Sequence, residues 1–213
     1  MPMYTEADPN DPSVLQGDVF SDVPVFFYDG RGPLTVKRVE NEIGIHQAVL
    51  PRSFREANRT GILLCACLAN VVVLTASCDL VSRDTGGSRR PMKNSHIVYA
   101  PLAPIAEWRE AGFRIENQTV VNMQRAPDTG PDWCFYFPTL PNGEPEALLN
   151  MQILCTVQIV NGEGRPCTNP LDRNPLVTMG RERRIARLDA EYRGVFAAKV
   201  GNYLGRPGAP DLG

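Results

Sequence analysis

The chemically reactive side chains of this 213-residue chain are densest in one segment, between Cys78 and His96. Cys78 and Asp79 follow an apolar run, residues 71–76, and His96 comes directly before another, residues 97–100. If these runs pair as neighbouring strands, the thiol leaves the first strand near the point where the imidazole enters the second. An imidazole can lower the pKa of a thiol from about 8.5, and Asp79 could orient the ring. One hypothesis is therefore a thiol-dependent hydrolase with Cys78, His96 and Asp79 as catalytic residues.

The same cysteine has a simpler interpretation, because a cysteine at a strand end is usually a small packing residue. No Cys-Gly-x-Cys-Trp signature surrounds Cys78. A metal site would need Cys65 and Cys67 to join Cys78 and His96, but the chain has no Cys-x-x-Cys or His-x-x-x-His spacing. We predict no metal site. The absence of Gly-x-Gly-x-x-Gly and Walker motifs likewise predicts no nucleotide cofactor.

Basic side chains in two places could contact the phosphates of RNA or DNA. Residues 85–90 combine a flexible Gly-Gly backbone with two arginines, and residues 181–206 carry seven basic against three acidic side chains. Guanidinium groups suit phosphate contact without base reading. The alternative is a solvated hairpin tip and a solvated helix face. The predicted nucleic-acid contacts are Arg83, Arg89, Arg90, Lys93, Arg184 and Arg187.

The elements that must position these residues are mostly short strands. The 19 prolines and 18 glycines argue against a helical bundle. A short helix is expected after Pro104, ending near Gly112. Apolar residues at spacings of three and four predict an amphipathic helix over residues 181–204. Strands are predicted over residues 19–28, 34–39, 43–50, 62–68, 71–76, 97–100, 133–137 and 151–160.

These elements predict one β-rich α+β domain over residues 14–213. Its form would be an SH3-like, partly closed β-barrel or a curled antiparallel sheet with a C-terminal amphipathic helix. Residues 1–13 hold three prolines, three acidic residues and no basic one. Such a composition buries too little apolar surface to offset its ordering entropy, so we expect an acidic, proline-rich arm.

Composition also restricts the surroundings of the chain. The net charge of −2 supplies no overall attraction to nucleic acid or to a membrane. The first residues lack the basic and apolar regions of a signal peptide. The longest apolar run, residues 61–76, is shorter than the roughly 20 residues of a membrane helix. We expect a cytoplasmic protein with reduced cysteines and no membrane contact.

Three stretches together resemble the MazF/PemK family of toxin endoribonucleases. They are Gly17-Asp18-Val19-Phe20, the inner-strand run at residues 71–75, and Ile-Val-Tyr-Ala-Pro-Leu-Ala at residues 97–103. The resemblance spans about residues 16–103 and implies an SH3-like barrel with a C-terminal helix. The family's Arg-Pro and Thr or Ser positions are occupied here by Ala69-Asn70 and Ala103. The resemblance thus implies the fold without the groups that cleave RNA.

The preferred hypothesis is a non-catalytic binding or accessory module of a mobile-element or defence system. Its partner would be a nucleic acid or a protein. The Cys78–His96 hydrolase is one alternative. The other is a structural assembly protein whose N-terminal arm docks on a neighbouring subunit, giving a homo-oligomer.

Overall fold

A computed structural model describes residues 3–5, 11–28, 64–80, 83–85, 88–90, 92–110, 113–167 and 169–205. The chain divides into two compact units, residues 1–23 with 68–213, and residues 24–67. Of the second unit, the described parts are residues 24–28 and 64–67, which belong to strands. Folding as one domain over residues 14–213 stays a prediction.

The described residues form a curled, antiparallel sheet of eight strands with a C-terminal helix, so the predicted α+β, β-rich class is confirmed. The strand order is β1-β10-β2-β3-β6-β8-β7, and β9 pairs with the first half of β6. A separate hairpin is formed by β4 and β5. The strands are β1 (Tyr4–Thr5), β2 (Asp18–Tyr28), β3 (Leu64–Val73), β4 (Arg83–Thr85), β5 (Ser88–Arg90), β6 (His96–Pro104), β7 (Cys134–Phe137), β8 (Ala147–Asn150), β9 (Cys155–Gln158) and β10 (Arg184–Leu188).

The described helices connect or cover these strands. The α-helices are α1 (Ser77–Leu80), α2 (Ile105–Glu110), α3 (Asn117–Arg125), α4 (Pro175–Met179) and α5 (Ala190–Tyr203). Short 3₁₀ turns lie at Pro170–Asp172 and Arg181–Arg183.

The strand pairing that the reactive segment depends on is confirmed. β3 and β6 are antiparallel neighbours, with Val73 opposite Tyr99. Their β-branched and aromatic residues suit a sheet buried on both faces, and Val71, Val72 and Val73 are fully buried. The strand predicted over residues 151–160 is shorter, since residues 151–154 form a turn before β9. The strands predicted at residues 34–39 and 43–50 lie outside the described residues.

The main core lies between the sheet and α5. Phe196 of α5 packs edge-on against Phe135, with ring centroids 5.0 Å apart, and Phe137 lies at 6.1 Å. Val200, one turn further along α5, is also buried. The predicted packing of a C-terminal helix on the sheet is therefore confirmed, and Gly205 follows its end with a φ of 71°.

The predicted start of that helix is wrong. Residues 184–188 form β10, and α5 begins only at Ala190, after Asp189 accepts a hydrogen bond from the Glu191 N–H. Ile185 and Leu188 have helical spacing, but burial along β10 alternates with a period of two. A buried Arg184 occupies one inward position of this alternation, so the apolar pattern of the strand is hidden.

The described part of the N-terminal arm packs on its own chain, which for residues 3–5 corrects the expectation that the arm buries too little surface. Met3 is buried in the main core, and β1 pairs with β10. The Tyr4 hydroxyl donates to the Pro138 carbonyl at 2.8 Å, and its ring stacks on Phe137. Two apolar side chains near the start thus attach the described part of the arm. A role for the arm in assembly stays a prediction.

A second, smaller core holds α2 and α3 against the outer strands β7 and β8. Trp108 of α2 and Met123 of α3 are buried there with Leu148. The Trp108 indole N–H donates to the Leu148 carbonyl at 2.8 Å, which satisfies its polar atom. The helix predicted after Pro104 is confirmed as α2. Sequence analysis missed α3, because Glu116 at its N-cap makes no side-chain capping bond and the helix is largely polar.

Alanine substitutions at Gly17 and Gly143 can distinguish the cost of backbone strain from the cost of side-chain crowding. Both have a φ near 87°, where an L side chain costs about 1–2 kcal/mol. A Cβ on Gly17 would lie 2.7 Å from Leu188 Cδ1, whereas a Cβ on Gly143 would meet nothing within 4 Å. We expect Gly143→Ala to lose about 1–2 kcal/mol and Gly17→Ala about 1–3 kcal/mol more. Urea unfolding measures both, and equal losses would contradict the crowding at Gly17.

Candidate functional site

The structure brings Cys78 and Asp79 together with the segment that follows the β4–β5 hairpin. The Cys78 thiol donates to Asp79 Oδ1 at 3.7 Å, in the short helix α1. The other carboxylate oxygen of Asp79 accepts from the Asn94 side chain at 3.3 Å. The Lys93 ammonium lies 3.8 Å from Asp79 Oδ1. Asp79 therefore holds residues 93 and 94 in place, a structural role that accounts for its contacts.

His96 lies at the exposed start of β6. Its Nδ1 is 3.0 Å from the hydroxyl of the adjacent Ser95, and its backbone pairs with Gln158 of β9. A carboxylate beside a thiol repels the thiolate that a nucleophilic cysteine needs. The described side-chain contacts of Asp79 are with Cys78, Lys93 and Asn94. The described side-chain contact of His96 is with Ser95. The catalytic roles of Cys78, His96 and Asp79 stay predictions.

The basic residues predicted to contact nucleic acid are found in different settings. Arg83 lies opposite Arg90 in the β4–β5 hairpin, and Asp84 lies opposite Arg89. The side chains of this hairpin lie outside the described residues. The Lys93 side chain is 75% exposed, and its described ion pair is the one with Asp79. An exposed pair of this kind contributes little to stability.

Arg184 and Arg187 are engaged inside the chain, which corrects their prediction as nucleic-acid contacts. Both belong to β10, and the Arg184 side chain is only 1% exposed. Arg187 donates from Nε to Asp18 Oδ1 at 2.7 Å and from Nη2 to Asp18 Oδ2 at 2.9 Å. Arg184 Nη1 lies 3.7 Å from the same carboxylate. These two guanidinium groups neutralise the fully buried Asp18 carboxylate and are not exposed for contact with the phosphates of a nucleic acid.

The two arginines also fix the segment that leads into β2. Arg184 donates to the carbonyls of Asp11 and Ser13, at 2.9 and 2.7 Å. Arg187 forms a short ion pair with the Asp11 carboxylate. Burial opposes the charge of Asp11, but hydrogen bonds from Ser13 and the Arg187 guanidinium outweigh it and lower the pKa of Asp11 to about 2. This buried cluster of Asp11, Asp18, Arg184 and Arg187 has no net charge.

A groove between α2 and α3 has a volume of about 460 Å³. Its size falls within the range of ligand pockets. One face of α3 lines it, with Asn117, Val120, Val121 and Gln124 at helical positions i, i+3, i+4 and i+7. Val121 is 38% exposed there. The facing wall comes from Pro104, Ile105, Ala106, Arg109, Pro145 and Glu146.

The groove contains one cation, Arg109, and one anion, Glu146, at two different positions along α3. Arg109 Nε donates to the Ile115 carbonyl at 3.1 Å, and its Nη2 donates to Asn117 Oδ1 at 2.8 Å. Glu146 Oε2 accepts from the Tyr136 hydroxyl at 2.7 Å and from Gln124 Nε2 at 2.9 Å. The guanidinium is thereby held at the first turn of α3 and the carboxylate two turns further along.

The side chains of α3 that hold the two charges are separated along the helix. Asn117 and Gln124 are seven residues apart, which is about 10 Å along a helix. Burial raises the pKa of the Tyr136 hydroxyl, and its bond to Glu146 raises it further, so Tyr136 stays a protonated donor. The groove thus offers an apolar floor between two fixed, opposite charges.

Sequence analysis did not find this groove. Its lining comes from residues 104–109, 117–124 and 145–146, which are remote along the chain and carry no motif. The one available signal was the spacing of Val120 and Val121 between Asn117 and Gln124, but too few apolar residues surround it to indicate a helix.

The cysteines and acidic residues of the described part of the chain offer no alternative centre. Groups of three or more His, Cys, Asp or Glu side chains that could hold a metal ion do not occur there. Burial raises the pKa of the Cys134 thiol to about 11, although the Lys199 ammonium partly opposes this. Cys134 is therefore a neutral packing thiol near neutral pH. None of the helices described has the length and apolarity needed to cross a bilayer.

Comparison with known proteins adds no relative, since no family model, no curated protein and no solved structure matches this chain at a significant level. The resemblance to the MazF/PemK family and its SH3-like barrel therefore stays a prediction.

The buried cluster predicts an unequal cost of removing two carboxylates. Asp18→Asn should lower the free energy of unfolding by about 3–5 kcal/mol, because it leaves two poorly solvated guanidinium groups with one carboxylate. The matched control is Glu163→Gln, which breaks an exposed pair with Arg165 whose side chains are 69% and 77% exposed. That control should cost less than about 1 kcal/mol. Urea denaturation compares them, and similar losses would refute the structural role of Asp18.

The Asp79 carboxylate beside the Cys78 thiol predicts an unreactive cysteine. In the native chain, iodoacetamide should label Cys78 slowly, and His96→Ala should change that rate by less than about twofold, because the adjacent carboxylate disfavours the thiolate. Mass spectrometry of the labelled chain measures this, with the buried Cys134 as a slow internal reference. Rapid labelling of Cys78 that is lost in His96→Ala would instead support the hydrolase.

Proposed function

We propose that this chain is a non-catalytic binding module that recognises a segment of a protein partner in the groove between α2 and α3. The observation that carries the proposal is the exposed apolar floor at Val121, lying between the anchored Arg109 and Glu146. An apolar surface with a few fixed polar groups is typical of ligand-binding sites. Rigid polar groups lower the entropy cost of binding.

A protein ligand fits this groove better than a nucleic acid does. Glu146 would repel a phosphate backbone, and the Asn117 side chain already occupies one N–H group of Arg109. Arg184 and Arg187, two of the six residues predicted to contact nucleic acid, are engaged by Asp11 and Asp18. Apolar side chains of a peptide can instead cover Val121, which a polyanion leaves exposed.

The groove is built to keep its shape. Trp108 holds α2 to the Leu148 carbonyl, and Met123 anchors α3 in the second core. The carboxylate oxygen Oε2 of Glu146 accepts hydrogen bonds from both Tyr136 and Gln124. These contacts satisfy buried polar atoms and leave the opposite face of α3 available to a ligand.

A random peptide display library selected on the full chain tests the proposal. Selected peptides should bind the wild-type chain and lose at least about tenfold in affinity for Val121→Asp, which places a charge in the apolar floor. Leu171→Asp is the matched control, because Leu171 is 37% exposed, against 38% for Val121, and lies outside the groove. It should change affinity by less than about twofold.

Two results would contradict the proposal. One is the absence of enriched peptides, or enrichment that is equally insensitive to Val121→Asp and Leu171→Asp. The other is binding of RNA or DNA at about 50 mM salt that falls steeply as salt rises and that Arg109→Gln weakens, since this would make the same surface a phosphate site.

A further inference from the structure

We propose that the ligand of the groove is an extended peptide segment with an acidic side chain and a basic side chain flanking an apolar one at alternate positions. This inference rests on the proposed function and specifies its ligand chemistry. The proposal is based on the presence of Arg109, Val121 and Glu146 in one groove. The hydrogen bonds that α3 makes to Arg109 and Glu146 define the order of these residues along the groove.

The order follows from the two anchoring hydrogen bonds. Arg109 bonds to Asn117 at the first turn of α3, and Glu146 bonds to Gln124 two turns later. Val120 and Val121 lie between them on the same helix face. A ligand lying along α3 would therefore meet a cation, then an apolar floor, then an anion.

Each charged group has hydrogen-bonding capacity left for a ligand. A guanidinium has five N–H groups, of which Arg109 uses two in its described bonds. Glu146 accepts both of its described hydrogen bonds at Oε2, so Oε1 accepts none from the described residues. A ligand carboxylate can pair with Arg109, and a ligand ammonium or guanidinium can pair with Glu146 Oε1.

The spacing favours alternate residues of an extended chain. Side chains at i, i+2 and i+4 of such a chain share one face, and at about 3.3 Å per residue the outer two are about 13 Å apart. The anchors on α3 are about 10 Å apart, a difference that long charged side chains can close. The middle side chain then lies over Val121.

Four capped peptides test this charge pattern. They are acetylated and amidated forms of Glu-Ser-Leu-Ser-Lys, Gln-Ser-Leu-Ser-Gln, Glu-Ser-Leu-Ser-Glu and Lys-Ser-Leu-Ser-Lys, titrated into the full chain while the amide signals of Val120 and Val121 are followed by NMR. The mixed-charge peptide should bind at least about tenfold more tightly than the neutral one, which corresponds to about 1.4 kcal/mol. The two single-sign peptides should bind no better than the neutral one, because each meets repulsion at one end.

Variants at the two ends of the groove test whether Arg109 and Glu146 cause the preference for the mixed-charge peptide. Glu146→Gln and Arg109→Gln should each reduce the preference for the mixed-charge over the neutral peptide to less than about threefold. Arg165→Gln is the control, since Arg165 is a strongly exposed arginine outside the groove. It should keep the full preference.

The outcomes separate this inference from the proposed function. Equal affinity of all four peptides in the wild-type chain overturns the charge pattern but leaves a groove that binds apolar segments. A preference that survives both Glu146→Gln and Arg109→Gln also overturns it. If no peptide shifts Val120 or Val121, the inference fails, and the display selection decides whether the groove binds another peptide class.

Discussion

The burial of Asp18 beneath two arginines of β10 is the constraint on which the first half of the sheet depends. A lone carboxylate in this position would lose its hydration without compensation, so its charge is tolerated only with the paired guanidinium groups. Arg187 donates hydrogen bonds to both carboxylate oxygens of Asp18, and Arg184 forms a second ion pair with it. The same two side chains donate to the carbonyls of Asp11 and Ser13. One cluster therefore neutralises the Asp18 carboxylate and also holds the backbone that leads into β2.

The outer half of the fold is held in a different way, by aromatic packing and single polar anchors. Trp108 fixes α2 to the sheet, while Lys199 of α5 donates to the carbonyls of Asp128 and Gly130 in the loop after α3. A Cβ on Gly130 would overlap the Met123 side chain, so a larger residue there would require Met123 to move. The groove side of α3 is therefore supported from behind by contacts independent of the Asp18 cluster.

The elements that the sequence predicted well are those whose burial shows directly in residue type. The aromatic β7 and the apolar face of α5 follow from spacing and composition. The valines of β3 were also predicted as strand, but residues 62–68 and 71–76 were predicted as two strands where the structure has the single strand Leu64–Val73. β10 was missed because its inward residue Arg184 is charged. A buried charge at that position is understandable only once the Asp18 carboxylate of the neighbouring strand β2 is known to lie 3.7 Å away. The groove was missed for a different reason, since Arg109 and Glu146 are held by side chains 8 to 22 residues away whose positions no motif or periodicity indicates.

The size of the groove limits what kind of recognition it can support. A stable protein–protein interface buries on the order of 1,600 Å² in total, far more than contact with one groove between two short helices supplies. Affinity from such a site must come from a few well-placed groups, and Arg109 and Glu146 are already fixed by their own hydrogen bonds. A ligand that supplies opposite charges gains electrostatic complementarity without ordering these side chains. Under the proposed function, a small groove with two fixed and ordered charges would therefore favour selective, transient binding of a short segment over a permanent subunit contact.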